Sequence, residues 1–298
     1  MKEFRGMFPA MITPLTKDDK LDEEGLRGNI EWYIKEGVHG ISCLGSIGEY
    51  VALTDEERKR VIDITVAQTN HRVPVQAGVG GRTTKDTIRW TQYAKDAGAD
   101  LVLLPNPYYH VPDEEETYEH IKRIAQAVDI PIMLYNSGAR PPRRGVMPKL
   151  ALRLAKEFEN FSYFKASSGK IERAQEIIRE GGNDITVFCG DDALAFPIFV
   201  LGGKGAIDGA AAILPRKRSQ LFELVENGEI EKARELWYRM VPLVTVLETG
   251  WYKFVQALKK GLDLLGKAGG PSPRGPKMGL SKDQEAALKK MLSDLGEL

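Results

Sequence analysis

The chain of 298 residues predicts an α/β protein built as a (β/α)8 TIM barrel with a C-terminal helical appendage. Three observations lead to this prediction. Short β-branched runs alternate with amphipathic helical patterns, and eight such runs occur before residue 208. Parallel strands need a crossover between them, and eight is the number of strands that closes a barrel. After Ile207 the strand-like runs stop and only helical patterns follow.

The strand-like runs are short, apolar and bounded by turn residues. They are Phe8–Thr13, Gly40–Leu44, Pro74–Val79, Leu101–Pro105, Pro131–Tyr135, Ser162–Ala166, Ile185–Cys189 and Gly205–Ile207. A doubly wound open sheet is the alternative for such a pattern. It usually carries a glycine-rich phosphate-binding turn after its first strand, and no such turn occurs here, which favours the barrel.

Helical patterns lie between these runs. Thr54 and Glu57 form a capping box, which predicts a helix over Asp55–Thr69. The other predicted helices are Glu23–Glu36, Thr84–Ala97, Asp113–Val128, Pro148–Phe158, Lys170–Arg179, Asp192–Val200, Leu214–Asn227, Glu229–Thr245, Glu248–Leu265 and Lys282–Leu295. We therefore divide the chain into a barrel catalytic domain, residues 1–227, and a C-terminal helical region, residues 228–298.

The bulk composition excludes several classes of function. Forty-two basic residues balance 42 acidic ones, which argues against a nucleic-acid or membrane-surface partner. No apolar run approaches membrane-spanning length, and the N-terminus lacks the apolar core of a signal peptide, so we expect a cytoplasmic protein. Cys43 and Cys189 lie in apolar runs, as buried thiols do in a reducing compartment. The histidine spacing predicts no metal site, and no cofactor-binding glycine loop is present.

Lys165 is the most informative residue because it lies near the end of an aromatic, β-prone run. The carboxyl end of a barrel strand points into the mouth where active sites are built. Desolvation favours the neutral form of an amine, and a neutral amine can attack a ketone to form a Schiff base. The alternative is a lysine that ends an edge strand and points into water.

Two more features follow predicted strand ends. Gly45-Ser-Ile-Gly-Glu49 is a turn whose backbone N–H groups, with the Ser46 hydroxyl, suit a carboxylate, although a plain tight turn gives the same pattern. Tyr135 ends an apolar strand, so its hydroxyl needs a partner. That partner is a lysine at the end of a neighbouring strand or a substrate. The alternative is a core tyrosine whose hydroxyl binds the backbone.

These residues together form a specific pattern, and the chain resembles the dihydrodipicolinate synthase/N-acetylneuraminate lyase family of pyruvate-dependent class I aldolases. The resemblance covers the whole chain. The motifs that carry it are Gly45–Glu49, Pro107–Tyr109, Tyr135-Asn136, Lys165–Gly169, Gly190–Asp192 and Leu201–Asp208.

The resemblance implies a role for each matched residue. Lys165 matches the Schiff-base lysine, and Tyr135 matches the tyrosine that transfers protons. Ser46 matches the hydroxyl that links this tyrosine to Tyr109, which is expected to cross a dimer interface into the neighbouring active site. The expected assembly is therefore a homo-oligomer, a homotetramer built as a dimer of dimers. No cofactor is implied beyond the covalent Schiff base on Lys165.

The same resemblance implies the substrate contacts. Backbone groups of Ser46 and Ile47 match those that hold the pyruvate carboxylate, and Ile207 is expected to pack near it. Arg140 falls about where synthases keep an arginine for the semialdehyde carboxylate. Two departures stand out. Ile47 replaces the usual threonine, and the segment after Tyr135, commonly Asn-Val-Pro or Asn-Asn-Pro, here begins Asn136-Ser-Gly.

The sequence thus predicts a lyase or synthase that acts on pyruvate or a 2-keto acid, similar to dihydrodipicolinate synthase, with small-molecule substrates only. The alternatives are a 2-keto-3-deoxy sugar-acid aldolase or dehydratase and an N-acetylneuraminate lyase-like aldolase. A barrel that binds a keto acid without catalysis is the remote alternative. Lysine-inhibited synthases place histidines where Asp55 and Arg58 occur here, so we expect no inhibition by lysine.

Overall fold

The eight predicted strands form one parallel sheet in the computed structural model. The structure describes residues 3–107, 112–137, 146–248, 254–271, 274 and 279–298. The strands are β1 Gly6–Pro9, β2 Ile41–Cys43, β3 Val75–Gly78, β4 Leu101–Pro105, β5 Ile132–Asn136, β6 Phe161–Ala166, β7 Thr186–Cys189 and β8 Gly205–Asp208. Each strand is almost entirely buried, as expected for a parallel sheet covered by helices.

Closure of the sheet makes it a barrel. The strand order runs β1-β8-β7-β6-β5-β4-β3-β2, which leaves β1 and β2 at the two ends. An isolated parallel bridge between Ala10 and Ser42 joins those ends, and the Met11 N–H donates to the Ser42 carbonyl over 2.9 Å. The predicted (β/α)8 barrel is confirmed.

Eleven α-helices cover the barrel within the described residues. They are α1 Glu23–Lys35, α2 Asp55–Thr69, α3 Thr84–Asp96, α4 Glu114–Ala127, α5 Pro148–Glu157, α6 Ile171–Gly181, α7 Ala195–Val200, α8 Pro215–Glu226, α9 Ile230–Glu248, α10 Phe254–Leu264 and α11 Lys282–Asp294. The capping box of Thr54 and Glu57 begins α2 as predicted. None of these helices is both long and apolar enough to cross a bilayer.

Several predicted boundaries were wrong, among them the following three. β1 ends at Pro9 rather than Thr13, because its pairing with β8 stops at Asp208. The helix predicted over Asp192–Val200 begins with a 3₁₀ turn at residues 192–194, where the Asp192 carboxylate accepts backbone N–H groups from the end of β8. α9 continues through Glu248 and tolerates Pro242 in its interior. The domain boundary at residue 227 stays a prediction.

α9 and α10 pack against the turns at the carboxyl face of the barrel, and α11 packs on these two helices. α10 approaches the 3₁₀ turn at residues 210–212, and Gly261 lies against Ile213, where a methyl group would be 3.0 Å from that side chain. Gly209 meets the Phe254 ring, which leaves no room for a Cβ at residue 209. The C-terminal helices therefore help to shape the mouth of the barrel.

A buried charge cluster joins β8 to α8 below this mouth. Arg218 and Asp208 form an ion pair in which neither side chain is exposed to solvent. Arg218 also donates to the Asp192 carbonyl over 3.3 Å, and the Asp208 carboxylate accepts the Ala211 N–H over 2.9 Å. Burial, together with the charge of Asp208, raises the pKa of Asp192. One guanidinium thus stabilises two buried acidic side chains.

Replacement of Arg218 by methionine is expected to destabilise the protein strongly. Removing one partner of a buried ion pair leaves an uncompensated charge and typically costs about 3–5 kcal/mol. Urea unfolding followed by circular dichroism measures the free energy of unfolding. Arg216→Met is the matched control, since Arg216 pairs with Glu36 at the surface and such pairs contribute about 0–1 kcal/mol. Equal stability of the two variants would contradict the role of the buried pair.

Candidate active site

Lys165 and Tyr135 lie side by side at the carboxyl ends of two neighbouring strands. The register of β5 and β6 pairs Tyr135 with Lys165 directly. Both side chains are buried, Lys165 with 5% and Tyr135 with 9% of its surface exposed. The Lys165 Nζ lies 4.2 Å from the centroid of the Tyr135 ring. The predicted amine is therefore held in a confined site against an aromatic face, not in bulk water.

Ser46 reaches the same site from the turn after β2. Its Oγ lies 3.5 Å from the Tyr135 hydroxyl, at the outer limit of a hydrogen bond. Such contacts are often long in a site without substrate and shorten when the substrate binds. The structure thus brings together three of the predicted residues, an amine, a phenol and an aliphatic hydroxyl.

The turn that carries Ser46 has an unusual backbone. Leu44 and Glu49, which flank it, both have left-handed backbone angles, with φ of 56° and 57°. Non-glycine residues adopt this conformation only where the surrounding structure requires it. The Thr13 hydroxyl donates to the Gly48 carbonyl over 2.7 Å, and a methyl at Gly48 would lie 3.1 Å from the Met11 carbonyl. The turn is therefore tightly fixed against the segment that follows β1.

The other predicted contacts of this turn are apolar or backbone groups. Ile47 is 7% exposed, and its Cδ1 would lie 3.1 Å from a methyl placed on Gly209. Ile207 is completely buried in β8. Among the described residues, the backbone N–H groups of Ser46 and Ile47 donate no backbone hydrogen bond. Both donors are therefore left for another acceptor, and their contact with a carboxylate stays a prediction.

Gly190 provides the space in which the lysine side chain lies. A methyl at this position would be 1.8 Å from the Ser167 Oγ and 2.6 Å from the Lys165 Cε. Sequence reasoning named Gly190 within a motif but assigned it no role. The steric requirement could not have been found from the sequence, because it depends on the approach of β6 to β7.

Asp191 is an ionisable group within the electrostatic influence of Lys165, and sequence analysis assigned it no individual role. Its Oδ2 accepts the Gly169 N–H over 2.8 Å. Burial raises the pKa of the Asp191 carboxyl to about 6, while the Gly169 hydrogen bond and the charge of Lys165 act in the opposite direction. The nearby Ser167 Oγ is buried without a hydrogen-bond partner in the part of the chain that the structure describes. The Asp191 carboxyl and the Ser167 hydroxyl therefore make the surroundings of the Lys165 amine polar.

Two predicted residues, Tyr109 and Arg140, lie outside the described residues. Their assignments stay predictions. The described residues contain no cluster of three His, Cys, Asp or Glu side chains placed to hold a metal ion. What they do contain is a confined nucleophilic amine with a phenol, a hydroxyl and an anion-binding turn, a set suited to imine chemistry on a keto acid.

Comparison with known proteins identifies the family. The Dihydrodipicolinate synthetase family matches residues 3–295. The 4-hydroxy-tetrahydrodipicolinate synthase of Methanopyrus kandleri is 37% identical over 299 residues, which cover 99% of this chain and 98% of that protein. The dihydrodipicolinate synthase structure from Aquifex aeolicus has a TM-score of 0.90 at 34% identity and covers 98% of each chain.

A further solved structure gives the same result. The chloride-inhibited dihydrodipicolinate synthase from Acinetobacter baumannii, complexed with pyruvate, has a TM-score of 0.91 at 31% identity. The match covers 99% of this chain and 100% of that one. Agreement in sequence and in three dimensions over almost the full length, together with the lysine, tyrosine and serine at the strand ends, shows that the chain belongs to the dihydrodipicolinate synthetase family.

Proposed function

We propose that this chain condenses pyruvate with aspartate semialdehyde through a Schiff base on Lys165, the reaction of a 4-hydroxy-tetrahydrodipicolinate synthase. Enzymes of this family work through a covalent lysine Schiff base and need no external cofactor. The observation that carries the proposal is the buried Lys165 amine against the Tyr135 ring, with the Ser46 hydroxyl next to the Tyr135 hydroxyl.

The first half of the reaction forms an imine. The Lys165 amine attacks the keto carbon of pyruvate, and Tyr135 donates a proton to the departing oxygen, which leaves as water. The backbone N–H groups of Ser46 and Ile47 hold the pyruvate carboxylate, and Ile207 packs beneath it. Ser46, with Tyr109 of a neighbouring subunit, returns a proton to Tyr135 so that the next step can begin.

The second half forms the carbon–carbon bond. Loss of a methyl proton from the imine gives an enamine, whose carbon attacks the aldehyde carbon of the second substrate. The aldehyde oxygen takes up a proton and becomes a hydroxyl group. The amino group that came with the semialdehyde then attacks the imine carbon, which closes the ring and releases Lys165 as the free amine. In this proposal Arg140 binds the carboxylate of the semialdehyde by a charge-assisted hydrogen bond.

A 2-keto-3-deoxy sugar-acid aldolase is the second candidate, and one observation favours it. The Ser167 hydroxyl and the Lys165 side chain meet at Gly190, and the Asp191 carboxylate is close enough for the charge of Lys165 to lower its pKa, so these polar groups could bind hydroxyl groups of a longer substrate. An assay with aspartate semialdehyde and a panel of 2-keto-3-deoxy sugar acids separates the two candidates. Consumption of pyruvate only with the semialdehyde supports the synthase, and release of pyruvate from a sugar acid supports the aldolase.

The proposal includes assembly and location. Because Tyr109 would complete the active site of a neighbour, we propose that the chain works in the cytoplasm as a homo-oligomer, a dimer of dimers. Sedimentation velocity under assay conditions is expected to give a species at least as large as a dimer. A fully active monomer would contradict the contribution of Tyr109.

Lys165 is expected to be the site of covalent capture. Borohydride reduction in the presence of pyruvate should add a reduced pyruvyl group to the peptide that contains Lys165, because the imine is reduced to a stable amine. Peptide mass spectrometry detects the adduct, and Lys165→Ala should abolish it while circular dichroism remains unchanged. Lys204→Ala, at the opposite end of the barrel, is the control and should retain the adduct. An adduct on a different lysine would contradict the mechanism.

Tyr135→Phe is expected to lower turnover by about 10²–10⁴-fold, the usual effect of a positioned acid–base group. The ring and its contact with Lys165 remain, so only proton transfer is lost. Tyr163→Phe is the matched control, since the Tyr163 hydroxyl accepts the Phe4 N–H at the amino end of the barrel. Steady-state kinetics compares the two. A loss of less than about tenfold in Tyr135→Phe would assign Tyr135 to packing alone.

Lysine is expected to leave the activity unchanged at millimolar concentration. Arg58 lies where lysine-inhibited synthases place a histidine, and its guanidinium carbon is 3.8 Å from the Trp90 ring centroid. The Arg58 Nη2 also donates to the Gly80 carbonyl over 2.9 Å. A fixed cation repels the ammonium of lysine. Activity measured with lysine or with sodium chloride at equal ionic strength provides the comparison, and dose-dependent inhibition by lysine alone would contradict the expectation.

A further inference from the structure

Lys259 of α10 is a buried lysine far along the chain from the site residues, and it pairs with the turn that carries Ser46. Its Nζ lies 2.9 Å from the Glu49 Oε1, with the Lys259 side chain 2% and the Glu49 side chain 8% exposed. We propose that Lys259 is a positioning residue that fixes the catalytic turn through Glu49. This inference rests on the proposed function, because the turn matters for catalysis only if Ser46 and Ile47 act there.

The first argument is the backbone of Glu49. Its left-handed conformation is disfavoured for a residue with a Cβ and persists only where tertiary contacts hold it. Glu49 closes the turn, since its N–H donates to the Ser46 carbonyl over 3.2 Å and its carbonyl accepts the Ala52 N–H over 2.8 Å. A displacement of the Glu49 side chain therefore also displaces the backbone of Ser46.

The second argument is that the pair is costly to bury. The Lys259 Nζ has no partner of good hydrogen-bond geometry among the described residues, so attraction between charges is what compensates its burial. A buried ion pair contributes little net stability, and its best-attested role is to specify one arrangement. Here that arrangement is the position of the turn relative to α10.

The third argument is that α10 is a rigid support. Gly269 approaches the Lys259 carbonyl so closely that a methyl would be 1.8 Å from this oxygen. Gly261 and Phe254, on the same helix, pack against the end of β8. Packing thus fixes the backbone of Lys259, and the ion pair with Glu49 fixes its ammonium group. Lys259 can therefore hold Glu49 in place.

The first test measures the turn directly and does not depend on any substrate. Hydrogen–deuterium exchange of the peptide spanning residues 44–53 is compared in Lys259→Met, Lys260→Met and the unmodified protein. We expect exchange at least about tenfold faster in Lys259→Met, because the local opening of the turn becomes easier. Lys260→Met is the matched control on the same helix, since Lys260 forms a partly exposed pair with Glu285 and should exchange as the unmodified protein does.

A double variant distinguishes loss of the positioning contact from the destabilisation that an unpaired buried charge causes. Glu49→Gln combined with Lys259→Met removes both charges at nearly constant shape, so it is expected to fold even if Lys259→Met does not. The proposal requires the turn to exchange faster in this variant too. Exchange at the unmodified rate in the folded double variant would overturn it and leave the pair a purely structural feature.

The second test measures catalysis. The double variant should lose about 10–100-fold in kcat/KM for pyruvate, the scale of a small misplacement of catalytic groups. Borohydride should still trap pyruvate on Lys165, because the amine itself is untouched. Unaltered kcat/KM in a variant whose turn exchanges faster would overturn the catalytic part of the inference. If the unmodified protein traps no pyruvate at all, the proposed function fails, whereas the exchange experiment still decides whether Lys259 holds the turn.

Discussion

The closing contact between β1 and β2 is the constraint on which the site depends. Without the bridge from Ala10 to Ser42, β2 would be an edge strand, three strands away from β5 in the sheet. Closure brings the turn after β2 across the mouth of the barrel, so that Ser46 can reach the Tyr135 hydroxyl. The pairing of β5 with β6 then places Lys165 against the same tyrosine. Each of the three groups comes from a different strand, and only a closed barrel gathers them.

Two buried ion pairs join the barrel to later helices near its mouth. Arg218 compensates Asp208, and Lys259 compensates Glu49. Both pairs join the barrel to helices that come later in the chain, α8 and α10. Such pairs give little net stability but penalise any other arrangement of the two elements. The elements that frame the mouth are thus held in position before a substrate arrives.

Close packing determines what can fit beside the reactive lysine. Gly190 has no side chain because the Lys165 Cε and the Ser167 Oγ occupy that space. Gly209 has none because Phe254 and Ile47 meet there. A tightly packed interior does not accommodate even one additional methyl without a shift of its neighbours. Burial in the same region raises the pKa of the Asp191 carboxyl to about 6.

The sequence by itself determined the barrel, because the alternation of apolar strands and amphipathic helices is a local property of consecutive residues. It also singled out Lys165, Tyr135 and Ser46 as candidates, since each lies at or near the end of a predicted strand and a barrel brings such ends together. Tertiary structure alone decided the rest. Three features depend on residues that are distant in sequence. They are the pairing of Glu49 with Lys259, the space at Gly190 and the raised pKa of Asp191. Contacts of this kind leave no periodic pattern in the chain, because they depend on the three-dimensional approach of elements and not on the order of residues within one element.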